Sequence, residues 1–137
     1  MVVDAEFLVV GWLMTSSLAQ SLEQFAQQLH ALQQQSSQAH PDGRRLQALF
    51  LSTQQQFQVF LSLVEQTELT TAVEVPLRSQ QTEVNRQLRL LGMDVAFLQT
   101  ARQPQTVQQR QAQMGDRIRT LEQFCQGLRQ TLAQEKL

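Results

Sequence analysis

The sequence predicts an all-α protein, a four-helix bundle or a pair of long helical hairpins, and three observations carry the prediction. Leu, Val, Ile and Phe recur at alternating steps of three and four along most of the chain, the spacing of one helix face. Between them stand 28 glutamines among 137 residues, and glutamine is a good helix former that carries no charge. Five glycines and three prolines leave little punctuation for a many-stranded sheet. The length suits one domain, and a hydrophobic fraction of 42% can supply its core.

Residues 1–14, MVVDAEFLVVGWLM, are expected to form an apolar N-terminal extension ahead of a single helical domain at 15–137. Asp4 and Glu6 stand where a signal peptide carries positive charge, and the stretch is too short to span a bilayer. Three readings compete: a segment packed on the bundle, the consequence of an alternative start at Met14, or a membrane anchor.

From Ser17 the periodicity is clear. Leu18, Leu22, Phe25, Leu29 and Leu32 give the first helix its stripe. The segment from Gln33 to Gly43, with Ser36, Ser37 and Pro41, ends it, and Asp42 is placed to cap the next helix. The second helix repeats the beat with Leu46, Phe50, Thr53, Phe57, Phe60 and Val64, and Leu49 and Leu61 widen its apolar face. The β-branched run from Thr67 to Pro76 reads as a linker. A third helix is expected from about Leu77 to Arg102, its main stripe Val84, Leu88, Leu91, Val95 and Leu98, with Leu90, Met93 and Phe97 as a second apolar row. Gly92 is either a weak point in mid-helix or an allowance for close approach by another backbone. Pro104 opens the fourth helix, which runs to about Ala133. On its stripe, from Val107 to Leu132, Gln111 interrupts an otherwise apolar series that includes Cys125. The short connection between the last two helices makes them antiparallel neighbours.

Reactive groupings are not visible. His30 and His40 are too far apart in sequence for a helical ligand pair, and Cys125 has no second cysteine to share a metal or a disulfide. The glycines are scattered singly, so no loop cradles a phosphate. No serine has a suitably spaced histidine and acid. The expectation is therefore no enzyme, no cofactor and no metal. A lone thiol suits a reducing compartment, and Cys125 on an apolar stripe reads as core. A net charge of -1 gives no global field for nucleic acid, and the arginines of helices three and four alternate with Glu83, Asp94, Asp116 and Glu122. Asp94, between Met93 and Val95, either marks a solvated line or pairs with an arginine such as Arg102 or Arg110.

Two stretches carry a family likeness. RQLRLLGMDVAFLQTARQP at Arg86 to Pro104, and GDRIRTLEQFC at Gly115 to Cys125, resemble the heterocyst frequency control protein family (PatD) of cyanobacteria. The first two helices fit that family only by length and pattern. The resemblance implies a small cytoplasmic helical protein without enzymatic activity. Such a protein acts in cell differentiation and is linked to the division protein FtsZ, whose assembly it modulates. The partner surface is then expected among polar residues of helix three and the start of helix four: Arg86, Arg89, Asp94, Gln99 and Arg102. Two rival readings are a self-associating structural or adaptor protein working through the Phe-rich second helix, and a nucleic-acid-binding regulator using the arginines.

Overall fold

The computed structural model describes residues 5–135, and their side chains from residue 16 onward. Four α-helices follow one another: α1 (Ala5–Ser36), α2 (Gly43–Gln66), α3 (Thr71–Thr100) and α4 (Pro104–Ala133). They pack as antiparallel neighbours in a four-helix bundle. α1 against α2 and α3 against α4 are the two most extensive seams; α4 closes the ring on α1, and α2 touches α3 more sparsely. The two hairpins expected from the sequence are thus the halves of one bundle.

Each apolar stripe becomes a wall of a single core. Leu18, Leu22, Phe25, Leu29 and Leu32 of α1 are all fully buried, and so are Leu91 and Val95 of α3 and Ile118 and Leu121 of α4. Aromatic rings concentrate where α1 meets α2. Phe25 and Phe57 lie 5.2 Å apart between centroids, and Phe57 and Phe60 lie 6.0 Å apart. Thr53, also buried, returns its hydroxyl to the Leu49 carbonyl at 2.7 Å and so adds no unsatisfied group to the core.

The predicted N-cap is present: the Asp42 carboxylate accepts from the backbone N–H groups of Arg44 at 3.0 Å and Arg45 at 3.3 Å. Pro104 stands at the first turn of α4, where its missing N–H costs nothing. The interruption at Gln111 has a structural reason. Its Nε2 donates to the carbonyls of Ser36 at 2.9 Å and Gln38 at 2.7 Å, satisfying acceptors left open at the C-terminal end of α1.

Two expectations need correction. The stretch from Thr67 to Pro76 is not a linker throughout. α3 begins at Thr71 and contains Pro76. Val73 and Leu77, one turn apart, are both fully buried, and that packing outweighs the weak helix propensity of the run. Glu135, just past α4, accepts from the Thr70 N–H at 3.1 Å and from the Thr70 hydroxyl at 2.9 Å, which anchors the start of α3. α1, in turn, starts at Ala5 rather than near Ser17, so its backbone runs through most of the apolar extension. What the side chains of residues 1–15 pack against, and the placement of residues 1–4, lie outside the described residues.

Candidate interaction face

α3 has three sides with different fates. The core side carries Leu88, Leu91 and Val95. α2 approaches beside Gly92, where a Cβ would stand 2.8 Å from Cζ of the Phe50 ring. The glycine therefore admits an aromatic side chain, not a backbone. α4 approaches on the side of Asp94. Met93 lies about 100° around the helix from both Gly92 and Asp94, on the side turned away from the core.

Met93 is 49% exposed and Phe97 44% exposed, so these two members of the second apolar row face solvent, while Leu90 is partly covered. Apolar spacing on a helix does not reveal how many neighbours that helix has, and among the described residues α3 has no third neighbour to cover this side. The Arg110 guanidinium of α4 lies over the Phe97 ring, 4.6 Å from its centroid, in cation–π geometry. Arg89 and Arg86, both exposed, continue the same side one and two turns from Met93 towards the N-terminus of α3. Arg86 pairs with Glu83 at 3.4 Å across solvent, a contact worth little. Arg89 has no acidic partner among the described residues, and borders a shallow groove formed with Phe50, Gln54, Gln58 and Met93.

The five positions expected to form the contact surface divide on inspection. Arg86 and Arg89 belong to the exposed strip. Asp94 does not: it is 2% exposed and holds the Nε of Arg117, a partner the sequence reading did not name, in place of Arg102 or Arg110. Burial raises the Asp94 carboxyl above its ordinary 3.8, and the hydrogen bond and charge of Arg117, with the charge of Arg110, offset only part of that rise. Gln99 is exposed but engaged: its Nε2 donates to Gln47 Oε1 at 3.1 Å and to the Gly43 carbonyl at 3.4 Å, stitching α3 to the start of α2. Arg102 is exposed in the turn after α3, away from Asp94. Sequence reasoning did not place Met93, Phe97 or Arg110 in the contact surface.

Comparison with protein-family models, curated proteins and solved structures finds no match to this chain.

The remaining reactive side chains are placed as follows. Cys125 is buried, and loss of solvent pushes its thiol up to about 12, far from a reactive thiolate. His30 and His40 are both exposed. Among the described residues, no three His, Cys, Asp or Glu side chains converge to hold a metal ion. No described helix is long and apolar enough to cross a membrane.

Proposed function

We propose that this chain is a non-enzymatic, cytoplasmic protein-interaction module that regulates cell division or differentiation in a cyanobacterial setting by binding FtsZ and modulating its assembly. The partner's identity rests on the resemblance of Arg86 to Pro104 and Gly115 to Cys125 to the heterocyst frequency control family. The observation that favours an interaction role is the exposed side of α3, where Met93 and Phe97 are framed by Arg86, Arg89 and Arg110. Large apolar side chains ringed by arginine are the composition of binding hot spots. These side chains do not serve the core, so recognition is the role left to them.

The test is a binding titration against purified FtsZ. Arg89→Ala and Met93→Ala should each weaken binding by about thirtyfold, the equivalent of about 2 kcal/mol for a hot-spot residue, with little change in thermal midpoint. Arg102→Ala, standing apart from the strip, should lose less. Full-strength binding by a normally folded Arg89→Ala, Met93→Ala double mutant would remove this face from the proposal. Absence of any FtsZ binding by the native chain would remove the partner.

A further inference from the structure

The outer side of α2 is uncharged over most of its length. From Leu46 to Val64, nineteen consecutive residues carry no charge. Eight of these residues are exposed to solvent, where charged side chains normally gather. Leu51 is 51% exposed and Val59 44% exposed, and between and beyond them on the same side lie Ala48, Gln55 and Ser62. The uncharged stretch is bracketed by opposite signs. Arg44 and Arg45 precede it; Glu65 and Glu68 follow it. All four are exposed, and none has an ion-pair partner among the described residues.

We propose that this face binds a second copy of the chain, with α2 lying antiparallel on its symmetry mate and the two-fold axis passing beside Gln55. The pattern of α2 reads the same in both directions about that residue. Leu51 then meets Val59 of the second copy, and Val59 meets its Leu51. Ala48 meets Ser62, small against small, which lets the helices come close. Gln55 meets itself, and an amide has both a donor and an acceptor to offer its twin. The bracketing charges decide the orientation. Antiparallel packing sets Arg44 and Arg45 beside the Glu65 and Glu68 end of the other copy, twice by symmetry. Parallel packing sets like charge on like charge at both ends, about 30 Å apart along the helix, and is disfavoured. A single helix-on-helix seam falls near the lower limit for a specific interface, about 1,000 Å² in total, so a dissociation constant in the micromolar range is expected. This surface is separate from the α3 strip, and the inference holds or fails independently of the proposed partner.

Sedimentation equilibrium of the full chain should show a reversible monomer–dimer mixture. Gln55→Glu places two carboxylates on the axis and should raise the dissociation constant at least tenfold, while circular dichroism shows unchanged helix content because the residue is exposed. Arg44→Glu with Arg45→Glu should also weaken the dimer, and adding Glu65→Arg with Glu68→Arg should restore it. Under mild oxidation Gln55→Cys should form a disulfide dimer, with the native chain, whose Cys125 is buried, as control. Ala48→Cys should not, since its twin is about 20 Å away along the axis. A native chain that stays monomeric at about 100 µM, well above the expected range, overturns the proposal. So does a dimer indifferent to Gln55→Glu, or one in which Ala48→Cys cross-links as readily as Gln55→Cys.

Discussion

Asp94 is a carboxylate taken out of water and held by one guanidinium. Removing that partner strands a buried charge. Arg117→Ala is therefore expected to destabilise the fold by about 3 kcal/mol near neutral pH, the low end for a broken buried pair because Arg117 keeps some contact with solvent. The folded chain also holds the Asp94 proton more tightly than the unfolded chain does. Between the ordinary value of 3.8 and the raised native value the native state binds more protons, so this residue's contribution to stability falls as pH rises through that window. Urea denaturation across a pH series should show this decline, Asp94→Asn should abolish it, and Arg117→Ala should steepen it. The apolar neighbours of Asp94 in the sequence left its burial as one of two open readings, and its expected place on the contact surface was wrong. The choice of arginine was not legible. Arg110 and Arg117 are seven residues apart on one side of α4, so periodicity treats them alike, and only the stagger of α4 against α3 selects between them.

α3 shows what a stripe reveals about an element and what it omits. Val84, Leu88, Leu91, Val95 and Leu98 were legible as the buried face because the heptad beat states which side is apolar. The start of the helix was not legible, because Thr70, Thr71, Val73, Val75 and Pro76 are individually poor helix formers and the compensating contacts come from distant parts of the chain, Glu135 among them. The exposure of Met93 and Phe97 was hidden for a related reason: it depends on where α2 and α4 stand. Glycines separate the same two kinds of information. At Gly92 an added methyl meets the Phe50 ring, and overpacking of about 1–3 kcal/mol outweighs the gain of about 1 kcal/mol in helix propensity. At Gly115 the nearest atoms to an added Cβ are 3.7 Å away or more, so only the propensity gain remains. Thermal melts should place Gly92→Ala below the native chain and Gly115→Ala above it.

At the scale of the molecule, two intimate hairpins meet along two less equal seams. The α4–α1 seam is secured by specific polar contacts: Gln111 on the end of α1, and Arg129 paired with Glu23. The α2–α3 seam relies on the Phe50 ring lodged at Gly92 and on the Gln99–Gln47 bond, and it leaves an open groove beside them. The four-helix architecture was readable because every helix advertises one apolar side and the breaks between them are marked by loop residues or proline. The pairing of α1 with α2 and of α3 with α4 was readable as well; how the two hairpins meet was not, since the stripes are similar in strength and the residues that shape those seams, Gly92 and Gln111, look like flaws in the pattern when read alone.

The ring also sets an order of assembly. Three of its four seams join helices adjacent in the chain across connections of only a few residues, so little loop entropy is lost in forming them. The α1–α4 seam alone brings together segments from opposite ends of the sequence, and its contacts are the costliest to form early. Topologies this local fold in microseconds to milliseconds. In stopped-flow experiments, Gln111→Ala and Glu23→Ala should accelerate unfolding while leaving the folding limb nearly unchanged, the behaviour of contacts made after the transition state. Phe57→Leu, in the α1–α2 hairpin, should slow folding instead. The last joint to close would then be the first to open, and the lifetime of the native molecule would be set at the seam between its two most distant helices.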